Sequence, residues 1–295
     1  MPGRRNPLLT FLFAALILLF TGGPVALALY GSLVPDRILL DPNRSVLSEG
    51  PSLESYRYIF TGELPASYRQ ASANRAMISD AARQVPHSLV NSSIIALSAM
   101  LLNMLLGAPA AFIYARHAFP GKKLSFMFLI LSPLVPAIAL VTPIYMMLEG
   151  LGLTGTRIGI ILVHTAKALP FTVLILSVFF RKIPQELFEA AVLDHCSRLQ
   201  AFLRVALPLA LPSIGATGLF AFMLSYSEFM FSMVLSGDAA TRPVSVVMAA
   251  LARNTDVSWS LLNTAIFIAI VPTLVLVVLV WRFVVEGLLN GSVKG

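Results

Sequence analysis

The sequence predicts an all-α, polytopic membrane protein with six transmembrane helices, and three observations carry that prediction. Hydrophobic residues make up 57% of the chain and charged residues 12%, with a mean hydropathy of +0.84, whereas soluble domains carry about 25% charged residues. Too few charges remain to cover a soluble surface. Six apolar blocks each approach or exceed the roughly 20 residues that carry a helix across about 30 Å of hydrocarbon. The basic residues of the short connections gather on one side of those blocks, as the positive-inside rule requires. Helices are the expected form because a spanning segment must satisfy its backbone hydrogen bonds internally.

The first block, Leu8 to Leu33, follows Arg4 and Arg5, and Ala26-Leu27-Ala28 imitates a signal-peptide cleavage site. Its apolar run outlasts a signal core of about 7 to 15 residues, so residues 1–33 are expected to remain as the first span. Residues 34–85 carry six Arg and six acids among many Pro, Ser and Tyr, the composition of a partly ordered outer cap. Five further blocks follow, Pro86 to Ala115, Leu124 to Leu148, Ile158 to Phe180, Leu207 to Leu235 and Leu261 to Val285. They make residues 86–285 a five-helix core and leave 286–295 as a tail.

Six spans put both termini on one side. With the N-terminus inside, the cytoplasmic side receives Arg4, Arg5, Arg116, Lys122, Lys123, Arg181, Lys182, Arg198, Arg204, Arg282 and Lys294, against Arg157, Arg242 and Arg253 in the two short outer loops. Both termini are therefore expected in the cytoplasm.

Several function classes drop out on composition and motif. The lone Cys196 allows no internal disulfide. The formal charge of +7 is scattered without a basic run or interleaved aromatics, so no nucleic-acid partner is expected. His164 and His195 have no other ligand at metal-site spacing and are expected as hydrogen-bonded residues, with no metal site. The chain has no G-x-x-x-x-G-K-[ST] loop, no G-x-S-x-G elbow and no H-E-x-x-H pair, which disfavours an ATPase or an intramembrane enzyme. A self-contained secondary transporter would show matching interruptions in its two halves, and these halves show none.

The most informative stretch is the charged run from Gln185 to Pro212. Connections between bundle helices are usually about 2 to 8 residues long, so a loop spanning 181–207 asks for a purpose. Pro184 suits the start of a helix, where its missing N–H would be unpaired anyway. Thirteen residues on, Ser197 and Gln200 form an S-x-x-Q capping box that starts a second helix.

The run Glu189-Ala190-Ala191, Asp194, Ser197, Phe202, Leu207-Pro208-Leu209 and Pro212 resembles the EAA loop of permease subunits of binding-protein-dependent ABC importers. Pro170-Phe171, Phe179-Phe180 with Ile183-Pro184, Gly287-Leu288-Leu289 and Val293-Lys294-Gly295 are similar to the carbohydrate branch, in particular the smaller permease of the maltose-transporter type. Asn91-Ser92, Ala110-Ala111 and Ala115-Arg116 fit as well, so the resemblance runs from Pro86 nearly to the end. Two positions depart from it: His195 stands where the family usually has glycine, and Cys196 where it has alanine. No family motif falls between Glu49 and Arg83.

The resemblance implies the type I ABC importer permease fold and a mechanical role in a bacterial inner membrane. The EAA loop of the family lies in a cleft on an ATPase subunit. Glu189 would make the ionic contact there, Ala190 and Ala191 would allow close approach, and Asp194 would brace a loop that includes His195, Ser197 and Pro208. Lys294 in the tail would reach toward the ATPases. The implied partners are a second permease, two ATPase copies and an outside solute-binding protein. ATP and Mg would be used by the ATPases, this chain would bind no cofactor, and a sugar would cross between the permeases. Permeases for polyamines, phosphate and other small solutes share the loop, so the sugar rests on the tail and flanking segments.

Polar residues inside the spans are the remaining candidates. Gly218, Ala221, Ser225, Glu228, Ser232 and Ser236 recur at steps of three and four, and Ser88, Ser92, Ala99 and Asn103 share one face of the second span. Such stripes suit either a sugar path or close helix packing. For the path the candidates are Ser92, Asn103, Ser225, Glu228 and Ser232. An acid near midspan costs roughly 2.5 to 3.5 kcal/mol on insertion scales and marks a functional position by default, which singles out Glu228. Lys167 in the fourth span has a stem long enough either to snorkel or to meet an acid, and nothing in the sequence joins it to Glu228.

Overall fold

The structure is a computed structural model that describes residues 7–39, 50–63, 79–253 and 258–292, with no strand among them. Helix α1 (Pro7–Ser32) is followed by the short α2 (Asp36–Leu39), α3 (Glu54–Thr61) and α4 (Ser79–Arg83). Then come α5 (Val85–Arg116), α6 (Lys122–Leu131), α7 (Ala137–Gly150) and α8 (Arg157–Lys182). The charged loop contributes α9 (Gln185–Leu193), α10 (Arg198–Ala201), a π-helical turn over Phe202–Ala206 and α11 (Leu207–Leu209). The chain continues as α12 (Leu211–Tyr226), α13 (Met230–Leu235), α14 (Val244–Ala252) and α15 (Trp259–Ser292).

Helices α1, α5, α8 and α15 are each long and apolar enough to cross a membrane, and two bent pairs raise the number to six. The expected third span is one of these pairs, bent by 103° between Leu134 and Ala137. Proline disfavours the helical conformation of the residue before it, and Val135, before Pro136, is extended at φ −69° and ψ 123°. The fifth span also departs from the single helix expected over Leu207 to Leu235. A 79° bend separates the segment ending at Leu209 from α12, and a second break at Ser227–Phe229 separates α12 from α13. Pro208 and Pro212 lack the N–H that a continuous ladder would need across the first of these. At the C-terminus α15 runs on to Ser292, so the residues just past Val285 are helical.

The chain divides into two compact units, residues 1–86 with 247–271 and residues 87–246 with 272–295. In the first, α1 is apolar and largely exposed along its length, as suits a lipid-facing span. A buried polar seam ties it to its neighbours: the Ser32 and Tyr56 hydroxyls lie 2.8 Å apart, those of Ser55 and Ser260 2.9 Å apart, and Thr264 donates to the Ser32 carbonyl at 3.3 Å. Outside water, such seams bind helices where apolar burial gives little net drive.

The second unit holds two apolar clusters. Phe112, Val173, Leu176, Phe180, Phe202 and Ala206 pack together where α5, α8 and the π-turn meet. Ile95, Leu148, Ile160, Val163, Phe231 and Leu235 form the other. Close approach of α5 to α8 depends on Gly107, where an added Cβ would lie 2.5 Å from Thr172 Cγ2.

Candidate functional site

The charged loop is built from two helix ends placed back to back. Helix α9 stops in a Schellman motif, in which the N–H groups just past the end return to carbonyls of the last turn. His195 N–H donates to the Val192 carbonyl at 3.0 Å and Cys196 N–H to the Ala191 carbonyl at 2.9 Å. The motif needs a left-handed residue, normally glycine. His195 takes that role at φ 58°, the sole non-glycine residue with positive φ among the described residues. The glycine-to-histidine departure therefore leaves the turn's hand unchanged.

The second helix starts at once. Ser197 caps it by accepting from Gln200 N–H at 3.3 Å, while Ser197 N–H donates to Gln200 Oε1 at 2.8 Å, the reciprocal box expected from the sequence. Pro184 stands just outside α9 at φ −54° and ψ 140°.

Arg116, at the end of α5, mounts the loop on the spans. Its guanidinium donates to the carbonyls of Phe180, at 2.9 Å, and Ile183, and to Gln185 Oε1 at 3.1 Å. The same group lies 4.6 Å from the centre of the Phe188 ring. It thus satisfies carbonyls that the end of α8 leaves open and clamps the start of α9. In sequence Arg116 reads as an inside charge and as half of the family-like Ala115-Arg116 pair; neither reading predicts a clamp, although its place at a span end was a signal for one.

This mounting decides which loop residues face outward. Ala191 is 5% exposed and packs within its own subunit, so of the alanine pair only Ala190 lies on the open surface. Glu186, Glu189, Asp194, His195 and Ser197 are exposed, as are Val192 at 69% and Leu193 at 80%. Together they give the loop an exposed surface of acids and apolar side chains. Pro208 is exposed on α11; Lys294 lies outside the described residues.

The five path candidates are all buried. Asn103 donates to the Ala99 carbonyl at 2.9 Å and accepts from Thr172 at 3.2 Å, and Ser92 accepts from Val244 N–H at 2.8 Å, capping α14. Glu228, Ser225 and Ser232 meet His164 and Lys167 in one cluster. The Glu228 carboxylate accepts from Lys167 Nζ at 3.2 Å, Ser232 N–H at 3.0 Å and Phe231 N–H at 3.3 Å. From the position before the Phe229 N-cap, it thus caps the first turn of α13 and satisfies donors that the break after α12 exposes. His164 Nδ1 lies 2.8 Å from the Ser225 hydroxyl, and Nε2 lies 3.2 Å from the Ser232 hydroxyl and 3.4 Å from Glu228. These distances suit donation from Nε2–H toward Ser232 and Glu228, with the Ser225 hydroxyl hydrogen-bonded at Nδ1.

Lys167 does reach an acid, and its partner is Glu228. The carboxylate is 2% exposed and the lysine side chain 42% exposed. Lys167 also lines a cleft of about 750 Å³ whose walls include Leu140, Ile144, Pro170, Phe171 and Phe231, where it is the sole ionic side chain. In sequence His164 and Lys167 carry no link to each other; they lie one turn apart on α8, and that spacing is the signal that both can meet one acid.

Residues 103–288 match the family of binding-protein-dependent transport system inner membrane components. The diacetylchitobiose uptake system permease protein NgcG of Streptomyces coelicolor is 33% identical over 207 residues, covering 70% of this chain and 68% of that protein. The trehalose transport system permease protein SugB of Mycobacterium tuberculosis is 33% identical over 247 residues, covering 83% and 82%. In fold, the chain is similar to a chain of a bacterial ABC transporter involved in import of the acidic polysaccharide alginate, with TM-score 0.71, 16% identity and coverage of 96% and 99%. The chain belongs to the family of binding-protein-dependent transport system inner membrane components.

Proposed function

We propose that this chain is the permease subunit of an ATP-driven sugar importer, and that the loop from Arg181 to Leu207 docks on a cytoplasmic ATPase. The loop's geometry carries the reading: a Schellman end abutting a capping box, clamped by Arg116, holds Glu189, Ala190 and Leu193 outward on a stalk bonded to the ends of α5 and α8. Motion imposed on such a surface passes to the spans. The sugar assignment is supported by the relatives named for diacetylchitobiose and trehalose.

A second permease, two ATPase copies and a solute-binding protein complete the machine in the bacterial inner membrane, with both termini of this chain cytoplasmic. ATP and Mg are handled by the ATPases, and this chain binds no cofactor. Buried and bonded within the subunit, Ser92, Asn103, Ser225, Glu228 and Ser232 shape the path by bracing its helices, while Lys167 offers the polar contact from the cleft.

Purification of the full chain from gently solubilised native membranes tests the assignment. An ATPase and a second permease are expected in stoichiometric amounts, and uptake of labelled sugars by the reconstituted assembly is expected to require ATP and the binding protein. A chain that transports alone refutes the class, and an assembly that takes up other solutes but no sugar refutes the substrate.

A further inference from the structure

We propose that the cleft between the end of α5 and the second arm of the docking loop holds one anionic phospholipid, so that the bilayer's charge bears on the loop itself. The cleft has a volume of about 380 Å³. Its wall is apolar, formed by Pro109 and Ile113 of α5 and by Leu199 and Phe202 of the loop, while His117 and Arg198 stand at its polar end. Lys122 lies beside them, donating to the His117 carbonyl at 2.9 Å.

The charges at that end are of one sign. Burial first, and then Arg198 and Lys122, hold the His117 imidazole below its ordinary value, and no carboxylate is among the charges acting on it. Arg198 forms no ion pair among the described residues. The His117 Nδ1 atom is buried without a hydrogen-bond partner, a polar demand that nothing among the described residues meets.

An apolar wall ending in uncompensated cations is the complement of a lipid, with the phosphodiester at the cations and an acyl chain along Ile113 and Leu199. The depth agrees. Helix α5 is a span that ends at Arg116, so the cleft opens at headgroup level, on the side where basic residues attract anionic lipids. A soluble anion would leave the wall unused. An occupant bridging Ile113 to Leu199 would hold the second arm against α5, which makes the lipid a determinant of how firmly the loop is mounted.

The proposal rests on the cytoplasmic placement of the loop, but lipid binding can be read without transport, so its failure would leave the permease reading standing. The full chain is placed in nanodiscs of equal phosphatidylglycerol and phosphatidylcholine, extracted, and its retained lipids are identified by native mass spectrometry. Phosphatidylglycerol is expected to be retained preferentially. Arg198→Gln should lower that preference about fivefold, the factor expected of one cation near an anionic surface. Ile113→Trp, which fills the wall and leaves the charges intact, should lower it too, whereas Lys123→Gln, an exposed cation outside the cleft, should not. Equal retention of the two lipids, equal losses in Lys123→Gln and Arg198→Gln, or displacement by inorganic phosphate would each overturn the proposal.

Discussion

Replacing Glu228 with leucine nearly preserves side-chain volume and leaves every donor around it facing carbon. Lys167 Nζ, the N–H groups of Phe231 and Ser232, and His164 Nε2 all lie within 3.4 Å of the carboxylate. That carboxylate is 2% exposed, so water does not readily replace it. Removing one partner of a buried ion pair costs about 3 to 5 kcal/mol, but Lys167 is 42% exposed and can turn into its cleft, which discounts its share. The two backbone N–H groups at the start of α13 have no such escape and cost about 1 to 3 kcal/mol each when unsatisfied. The expected loss is about 3 kcal/mol for Glu228→Leu and about half that for Glu228→Gln, whose amide oxygen can still cap α13. Equilibrium unfolding in mixed micelles, titrated with an anionic detergent and followed by circular dichroism, measures both. Because the lysine has already lost its partner, Glu228→Leu/Lys167→Met should unfold within about 0.5 kcal/mol of Glu228→Leu alone. A Glu228→Leu protein as stable as the wild type, or a double variant showing the full sum of the single losses, would refute the strut.

At the docking loop, Glu189→Lys should leave insertion and abundance intact while ATP hydrolysis by the assembled transporter no longer drives uptake; unchanged uptake would remove Glu189 from the contact. His195→Gly should relieve a left-handed residue and stabilise the turn by about 1 kcal/mol, seen as slower hydrogen exchange at Cys196, whereas His195→Val should speed it. Gly107→Val drives a branched side chain into Thr172 and should cost about 1 to 3 kcal/mol by overpacking, read as a lower detergent midpoint. The folded chain takes a proton at His117 less readily than the unfolded chain, whose value is near 6.5. Stability present above that pH is therefore lost as pH falls through it, and His117→Gln should flatten this part of the detergent midpoint's pH profile.

The spans that form single helices were legible in sequence because a long apolar run is a local pattern, and the helix boundaries at Ser197 were legible because a capping box is local too. The bends were not. Pro208 and Pro212 mark where a helix can weaken, but whether a membrane helix yields at proline depends on what its neighbours supply, and the bend at Pro136 carried no family signal. The donors exposed at the Ser227–Phe229 break are met by Glu228, whose own charge is met from α8 by Lys167, 61 residues away. The clamp at Arg116 was hidden for the same reason, since its acceptors lie 64 to 69 residues on.

These two long-range devices stand on a common helix, and that placement bears on how force would travel. His164 and Lys167, near the middle of α8, grip the junction of α12 and α13, while Phe180 and Ile183, at its end, are gripped by Arg116 together with the start of the docking loop. Between these two ends α8 contributes Val173, Leu176 and Phe180 to the packed cluster beneath the loop. Close-packed interiors transmit displacement rather than absorb it, so a push on α9 reaches the capped break through α8, which stays one helix across Pro170. Loosening either grip should therefore weaken coupling before it weakens binding of the ATPase. Glu228→Gln would then show normal ATPase co-purification with reduced uptake per ATP hydrolysed, whereas a Glu228→Gln transporter with unchanged coupling would show that α8 is only a support.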